Sequence, residues 1–241
     1  MTIENGSFAG NGLVDMTGGT VVIEQTNTLG GVQPWLFNNL TLGDGSSARI
    51  TTPSGTATTT VRGVLTIAAG HFLDAGSSHW TLSGTGNPFI ETGTFLEDTS
   101  SFTYSGNGAN IRRTAYYNLA VDTTTGTAYA TAPTTGLQVL NNLAVGKNGT
   151  STLNVNTNDP LLAVGGDVYI GNLGTLLASD TNLIEVYGGW NNDGVFTANG
   201  SLVEFYQVSG SSTIAAGNSS FADVSFLGNA DFTIRTCYGN R

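Results

Sequence analysis

The sequence has little charge, and most of that charge is of one sign. Of its 241 residues, 17 are acidic and only 7 are basic, which leaves a formal net charge of −10. Charged residues make up 10% of the chain, whereas globular proteins average about 25%. Nucleic acids and anionic membranes are bound through clustered Lys and Arg side chains. The composition therefore argues against both of these partners.

Cysteine and long apolar runs are also scarce. Cys237 is the single cysteine, so an internal disulfide and a thiolate zinc cluster are both excluded. No apolar run approaches the roughly 20 residues of a membrane-spanning helix, so no membrane span is predicted. Residues 1–4 lack the basic and apolar regions of a signal peptide. The abundance of Gly, Ser, Thr and Asn, with a single lysine, nevertheless favours an extracellular or cell-surface protein.

The residues that are present indicate an all-β chain. Strong helix formers such as Lys, Arg, Glu, Gln and Met are few, and no apolar stripe with helical spacing persists. Apolar residues instead alternate with a period of two, in short segments rich in Val, Ile, Thr, Phe and Tyr that are bounded by Gly, Asn, Asp and Ser. Because 39% of the residues are apolar, these strands can bury a core, and disorder is not expected.

Two sequence patterns recur together. The first is an aromatic residue, any residue, Asn or Asp, an aliphatic residue, any residue and an apolar residue, and it occurs at residues 37–42, 116–121 and 221–226. The second is a pair of apolar residues two positions apart, which lies upstream of each copy of the first. Its copies are Val21 with Ile23, Phe102 with Tyr104, and Val203 with Phe205.

A third pattern gives the period. A valine is followed four and six residues later by apolar side chains, starting at Val61, Val139, Val164 and Val186. The last copy departs from the pattern because Asn192 takes its final apolar position. The spacing of these copies indicates a repeat near 22 residues, which is typical of a solenoid.

A repeat of this length favours a β-solenoid over a β-sandwich. Equivalent residues would stack at the spacing of neighbouring strands, about 4.8 Å, and few charges means little repulsion between stacked side chains. We predict a single-stranded, right-handed parallel β-solenoid (β-helix) of about 11 turns of roughly 20–25 residues, forming a rod about 50 Å long. Residues 1–241 are predicted to be one continuous solenoid with degenerate super-repeats at about 1–58, 59–135 and 136–241.

Two segments carry a resemblance to known proteins. Residues 189–198, followed by Val203-Glu204-Phe205, and residues 115–119 resemble the Gly/Thr/Asn-rich repeats of large bacterial secreted and cell-surface β-helix proteins of the adhesin-like type. The resemblance extends over most of the chain. It implies an extracellular structural or adhesive role, and it brings no catalytic residues to this sequence.

The two histidines do not predict a catalytic site. His71 and His79 lie eight positions apart, and both are interpreted as turn or surface residues. An arrangement of Ser77, His79 and Asp74 is conceivable, but small polar residues are so frequent here that such a coincidence is expected. No catalytic residue is therefore assigned.

The remaining charged residues do not suggest an enzyme either. Hydrolysis of glycans generally needs a pair of carboxylates facing one cleft, and Glu97–Asp98 would point to opposite faces of an extended segment. Arg112–Arg113, the adjacent basic pair, is interpreted as a solvated corner. A polysaccharide-degrading enzyme remains only a third hypothesis, and the chain is predicted to be non-enzymatic.

Two polar segments contain possible calcium ligands. Residues 156–159 and 191–193 are rich in Asn and Asp, whose oxygens suit Ca²⁺. Neither has the spacing of an EF-hand loop or of a calcium-binding nonapeptide repeat. Asx-turns and asparagine ladders explain both segments, so no metal and no cofactor is predicted.

The aromatic residues divide into an interior and an exterior group. Trp190 and Tyr116 occupy apolar positions of the patterns and are predicted to lie in the core, where large rings bury most area. Trp35 and Tyr117 lie outside that register. They are therefore the residues predicted to contact a glycan, if one binds.

Two functions of different kinds follow from these observations. The first is a non-enzymatic, extracellular structural β-solenoid that serves as a surface scaffold, an adhesin segment or a self-assembling filament subunit. Exposed strand edges at the ends of a solenoid recruit further chains, so head-to-tail homo-oligomers or filaments are expected. The alternative is a glycan-binding adhesin module that recognises cell-surface glycans through exposed aromatic residues.

Overall fold

The computed structural model describes residues 1–4, 7–131 and 136–235 of the chain, and Cys237 lies outside these ranges. The described residues contain 30 β-strands and no helix, which confirms the all-β prediction. They divide into two compact units, unit 1 (Met1–Arg112) and unit 2 (Arg113–Arg241). Within the same ranges, no helix is long and apolar enough to cross a membrane.

Unit 1 consists of short strands separated by turns. In chain order they are β1 (Thr2–Ile3), β2 (Phe8–Gly10), β3 (Val14–Ile23), β4 (Asn27–Gly31), β5 (Trp35–Leu42), β6 (Arg49–Pro53), β7 (Thr59–Val61), β8 (Leu65–Ile67), β9 (His71–Asp74), β10 (His79–Leu82), β11 (Phe89–Glu91), β12 (Thr94–Leu96), β13 (Ser101–Tyr104) and β14 (Ala109–Ile111).

Unit 2 has the same construction. Its strands are β15 (Ala115–Tyr116), β16 (Asn118–Val121), β17 (Thr125–Ala130), β18 (Leu137–Val139), β19 (Leu143–Val145), β20 (Thr150–Asn154), β21 (Leu162–Val164), β22 (Val168–Ile170), β23 (Gly174–Leu177), β24 (Ile184–Val186), β25 (Trp190–Asn192), β26 (Val195–Thr197), β27 (Leu202–Gln207), β28 (Ser211–Ala215), β29 (Asp223–Gly228) and β30 (Asp231–Arg235).

The strands of each unit stack in parallel, one turn on the next. In unit 1, β1, β3, β5, β7, β10 and β13 are neighbours in that order, β8 pairs with β5 and β11, and β2, β4, β6, β9 and β12 form a second sheet. In unit 2, the groove sheet consists of β16, β19, β22, β25, β28 and β30, and the tyrosine sheet consists of β15, β18, β21, β24, β27 and β29. A third sheet contains β17, β20, β23 and β26.

The length of a turn can be read from the register. Paired residues lie 19 positions apart at Val21 and Leu40 and 25 positions apart at Leu40 and Leu65, which bracket the roughly 20–25 residues predicted. The two units comprise about 10 turns, against a predicted 11. The β-solenoid is therefore confirmed, whereas its right-handedness stays a prediction.

Within each unit, copies of the sequence patterns stack on one another in successive turns. Val139, Val164 and Val186 lie in register with one another, so the copies of the third pattern stack as predicted. In unit 1 the first pattern stacks on the third, with Leu40 opposite Leu65. It also stacks on the second, with Val21 opposite Leu40.

The core of each unit is built from ladders of apolar side chains that point inward from every turn. In unit 1 one such ladder is fully buried and consists of Phe37, Val61, Leu82 and Tyr104. In unit 2 a comparable ladder of the groove sheet consists of Leu143, Val168, Trp190 and Ile214. Each large side chain removed from water contributes about 1.5–3 kcal/mol, so these ladders supply most of the driving force that holds the turns together.

Polar side chains tie one corner of successive turns together in unit 2. The Oδ1 atom of Asn142 accepts a hydrogen bond from the backbone N–H of Asp167 at 2.9 Å, and Oδ1 of Asp167 accepts one from Gly189 at 2.6 Å. Asn118 accepts from the N–H of Asn142 in the same way. These three residues, Asn118, Asn142 and Asp167, form a corner ladder that satisfies backbone donors lying outside the strands.

A second corner of unit 2 requires glycine in consecutive turns. A Cβ at Gly171 would collide with the carbonyl oxygen of Gly146, and a Cβ at Gly194 would collide with that of Gly171. Gly146 also has a φ of +67°, which favours glycine. At this corner the backbones of successive turns therefore approach too closely for any side chain.

The predicted subdivision of the chain differs from the units observed. The boundary between unit 1 and unit 2 falls after Arg112, inside the predicted super-repeat 59–135. The super-repeat bounds, and the continuity of one solenoid over residues 1–241, stay predictions.

Candidate functional site

A groove of about 620 Å³ lies on the groove sheet of unit 2. Most of its lining residues belong to β22, β25, β28 and β30, where the outward side chains alternate with core residues. Asp167 and Gly189, which come just before β22 and β25, complete the lining. Tyr169, Asn191, Ala215 and Arg235 are in register and form one outer column across these four strands. Each turn therefore contributes one side chain of the column to the groove, at the strand spacing of about 4.8 Å.

The depth of the groove comes from small residues placed between larger ones. Gly189 has no side chain and follows Asp167 by one turn, and its N–H is held by the Asp167 carboxylate. A Cβ at Gly189 would lie 3.0 Å from the carbonyl oxygen of Thr213, so the backbones approach closely here. Ala215 lies between Asn191 and Arg235 in the outer column, and its small side chain leaves a second depression in the groove.

The lining is polar and carries both signs of charge. It presents the Asp167 carboxylate, the Asn191 amide, the Ser211 and Thr213 hydroxyls and the Arg235 guanidinium beside a single outward aromatic ring, Tyr169. Asp167 is the one carboxylate among these residues, so the pair needed for acid–base hydrolysis of a glycoside is not assembled in the groove. The arrangement suits binding through hydrogen bonds and ring stacking.

The last described turn of unit 2 exposes residues that point inward. Val224, Phe226 and Ile234 are 39%, 41% and 57% exposed, although they continue the columns of Val203, Phe205 and Ile214, which are 0–1% exposed. We call Val224, Phe226 and Ile234 the terminal face. Among the described residues, no strand pairs with β29 or β30 on the side away from the preceding turn.

The tyrosine sheet carries a second exposed surface. Tyr187 and Tyr206 lie one turn apart with ring centroids 5.3 Å apart, and Glu185 and Glu204 are in register beside them. Partial burial raises the pKa of Tyr187, and the charges of Glu185 and Glu204 raise it further. Sequence reasoning missed this cluster, although the repeated order Glu, apolar residue, Tyr at residues 185–187 and 204–206 is a signal for it.

Of the two glycan contacts predicted from sequence, Trp35 is buried and Tyr117 is half-buried. Trp35 is 3% exposed and packs edge-on against Phe8, with ring centroids 4.7 Å apart, so the prediction that it lies outside the interior register is wrong. It shares a face of β5 with Phe37, and its column continues through Thr59 to Trp80. A buried ring cannot serve as an exposed stacking platform.

Tyr117 is half-buried between β15 and β16 of unit 2. Its backbone carbonyl accepts a hydrogen bond from Asn141 at 2.8 Å, and it does not line the groove. A glycan contact at Tyr117 stays a prediction. Tyr116 and Trp190 are 0% and 1% exposed, which confirms that both are core residues.

One of the two histidine interpretations is wrong. His79 is exposed, as predicted, but His71 is fully buried on the inner face of β9, where its Nε2 lies 2.9 Å from Oγ1 of Thr51. Burial lowers the pKa of His71, and the nearby Asp44 carboxylate opposes this in part. Asp74, the acid of the conceivable Ser77–His79 arrangement, instead accepts the N–H of Gly76 in a turn.

The Asn- and Asp-rich segments bond to neighbouring turns. Nδ2 of Asn158 donates to the carbonyl of Ala130 at 2.9 Å, and Oγ of Ser179 donates to Asp159 at 2.9 Å. Asn192 is buried and donates to the carbonyl of Ala216. In the described ranges, no group of three or more His, Cys, Asp or Glu residues is placed to hold a metal ion.

Arg112, predicted as a solvated corner, is exposed and interacts with Glu91. Its Nη2 donates to the Glu91 carbonyl at 3.0 Å, and its Nε lies 3.7 Å from Oε2 of the same residue. Arg113 is half-buried. Arg112 is thus tied to Glu91 of the preceding turn.

The resemblance to adhesin-like repeats stays a prediction. Comparison with protein-family models, with curated proteins and with solved structures finds no match to this chain.

Proposed function

We propose that this chain is a non-enzymatic structural β-solenoid that works outside the cell as a surface scaffold, an adhesin segment or a filament subunit. In this proposal copies of the chain associate end to end, with the terminal face of unit 2 of one copy against the first turn of unit 1 of another. The composition, poor in lysine and rich in Gly, Ser, Thr and Asn, supports the extracellular location.

The exposure of the terminal face is the observation that carries the proposal. Among the described residues, three apolar side chains at core positions are 39–57% exposed, and burying each would contribute about 1.5–3 kcal/mol. The edges of β29 and β30 also present backbone N–H and C=O groups of the kind that pair with a further strand. A turn from another copy offers both an apolar face and a strand edge, because the inward positions of the described turns are mostly apolar.

The first turn of unit 1 is the surface proposed to cover it. Met1 and Leu13 are 65% and 64% exposed, and the inward residues Phe8, Val14 and Met16 are only half-buried. The contact is heterologous, since the two surfaces differ, and heterologous contacts propagate into filaments unless they close into a ring.

Sedimentation velocity over a range of protein concentrations, with negative-stain electron microscopy, tests the association. The wild-type chain should form oligomers or fibres at micromolar concentration. The double variant Phe226→Glu/Ile234→Glu should raise the concentration needed for association by roughly 10-fold or more, because it places charge in an apolar contact.

A matched control distinguishes this contact from non-specific hydrophobic association. Val195 and Val208 are also exposed, at 50% and 66%, but they lie outside the terminal face. The double variant Val195→Glu/Val208→Glu adds the same charge and should associate like the wild type. A strictly monomeric wild-type chain, or equal loss of association in both double variants, would contradict the proposal.

A further inference from the structure

We infer that the groove of unit 2 is a binding site for a neutral, linear oligosaccharide. This goes beyond the scaffold role, because it gives one lateral face of the solenoid a ligand. It also moves glycan recognition away from Trp35 and Tyr117, the residues predicted from sequence, to Tyr169 and the column that it begins.

The size and polarity of the groove fit such a ligand. Its volume of about 620 Å³ lies within the roughly 300–1,000 Å³ of small-ligand sites. Those sites are usually apolar and closed, whereas this one is shallow and lined largely by amide, hydroxyl, carboxylate and guanidinium groups. A ligand with hydroxyls along its whole length can satisfy these groups and remain partly in water, as a sugar does.

Tyr169 supplies the apolar part of the contact. Its ring projects from the outer face of β22, and its neighbours in register are Ala144 and Asn191. Neither is bulky, and Tyr169 is half-buried, so part of its ring remains open to the groove. A partly exposed tyrosine offers an apolar body to the C–H face of a sugar ring and a hydroxyl to its edge.

The spacing of the column indicates a linear ligand. Tyr169, Asn191, Ala215 and Arg235 succeed one another by one turn each, at about 4.8 Å per turn. A chain of sugar rings lying along this column would meet a stacking ring first, then an amide, then a gap at Ala215 and then a guanidinium. A single monosaccharide would leave most of these groups unused.

The charges favour a neutral glycan over an acidic one. Asp167 and Arg235 carry opposite charges at the groove. Asp193 lies close by, with its carboxylate 3.4 Å from Nδ2 of Asn191. The whole chain has a net charge of −10, so a polyanionic sugar would be repelled.

The experiment uses the full-length chain and isothermal titration calorimetry with defined probes. The probes are linear hexasaccharides of glucose, mannose or N-acetylglucosamine, with a hexasaccharide of galacturonic acid as the acidic counterpart. We expect saturable binding of at least one neutral hexasaccharide and weaker binding of its monosaccharide and of the acidic probe. No saturable binding of any neutral probe, or tighter binding of the acidic one, would overturn the inference.

Variants locate the site. Tyr169→Ala should weaken binding by about 2- to 12-fold, since a stacked ring contributes about 0.5–1.5 kcal/mol beyond the apolar area that it buries. Tyr169→Phe should bind nearly as well as the wild type. Thr213→Tyr, which fills the groove from an exposed position, should abolish binding even if Tyr169→Ala fails to fold. Retention of the wild-type circular dichroism spectrum establishes that a variant is folded.

The exposed pair Tyr187 and Tyr206 on the tyrosine sheet supplies the matched control. Tyr187→Ala and Tyr206→Ala remove rings of the same kind from the same unit and should leave binding unchanged. Loss of binding in these variants but not in Tyr169→Ala would place the glycan elsewhere and overturn the inference. End-to-end association should persist in Tyr169→Ala, so the outcomes of this test and of the scaffold test are independent.

Discussion

We expect one buried imidazole, that of His71, to make the stability of unit 1 depend on pH. His71 is 0% exposed, and its Nδ1 has no hydrogen-bond partner among the described residues. Protonation would place a charge and an unsatisfied N–H in the core. The charged groups around it are Asp44, which favours the protonated form, and Arg49, which is in register with it on β6.

The direction of the pH effect follows from the lowered pKa of His71. The unfolded chain titrates near the ordinary value of about 6.5, so the contribution of the neutral form is fully present above that pH. Between the unfolded and the lower folded pKa the unfolded state binds more protons, and stability falls as the pH falls. We expect the free energy of unfolding to decrease from pH 7 towards acid, by at most about 1.4 kcal/mol per pH unit for this group.

Urea denaturation at a series of pH values measures this slope. His71→Gln keeps a hydrogen-bonding side chain near Thr51 but cannot titrate, so its slope should be shallower than that of the wild type. His79→Gln removes the exposed histidine and should leave the slope unchanged. A slope that is the same in wild type and His71→Gln would show that other groups govern the acid response.

Single residues were predictable from sequence where the repeat fixed their face, and unpredictable where it did not. Tyr116 and Trp190 occupy pattern positions and are buried as predicted. Trp35 is followed one turn later by Thr59. Because Thr59 is small and polar, the sequence does not show that this column lies in the interior. His71 and Leu73 point inward, whereas Phe72 is 37% exposed. A prediction that places the apolar residues of β9 inside and the polar ones outside is therefore wrong for His71 and Phe72.

At the scale of the strand, stacked like charges work against the fold. Glu185 of β24 and Glu204 of β27 are in register on the outer face of the tyrosine sheet. The adjacent turns place Ala163 and Ser225 in the same column, so the column itself provides no cation. Like charges directly opposite each other in a sheet are destabilising.

Removal of one of these charges should stabilise unit 2. We expect Glu204→Gln to raise the free energy of unfolding by about 0.2–1 kcal/mol at low salt, and the gain should shrink at high salt because the charges are screened. The pKa of Tyr187 should fall towards its ordinary value, since the Glu204 charge helps to raise it. Denaturation at two salt concentrations and ultraviolet titration of tyrosine measure the two effects.

Asp180→Asn serves as the control for this substitution. Asp180 is exposed and lies outside the strands, so it changes the net charge equally without relieving a stacked pair. An equal gain in stability in both variants would mean that total charge, rather than register, is responsible.

The strands themselves were largely predictable, as was the stacking of the third pattern on itself, but the stacking of one pattern on another was not. Alternating apolar residues bounded by Gly and Asn identified most strands of the third pattern, including β19, β22 and β25. The three patterns looked independent in the sequence because their residues differ in kind. Only the observed register shows that Val21, Leu40 and Leu65 belong to consecutive turns of one ladder.

At the scale of the whole molecule, the solenoid class was predictable because one short period governs the chain. The groove was not, since it combines side chains of four strands between residues 167 and 235. Its depth depends on which small residue lies next to which large one. The sequence shows which residues become neighbours only if the length of each individual turn, between 19 and 25 residues, is known.

The register has a consequence for how such a protein changes in length. Residues 143–167 form one complete coil, because Leu143 is in register with Val168, so tandem duplication of this segment inserts a coil whose side chains match both neighbours. The corner ladder survives, since Asp167 again precedes the next strand. We expect the lengthened chain to fold with a melting temperature close to that of the original.

An insertion of one residue within β22 should behave in the opposite way. It turns the following side chains to the wrong face, and circular dichroism melting should show a large loss of stability. Proteins of this construction can therefore grow or shrink in steps of a whole coil, so that a gene duplication leaves the core intact where a shorter insertion would not.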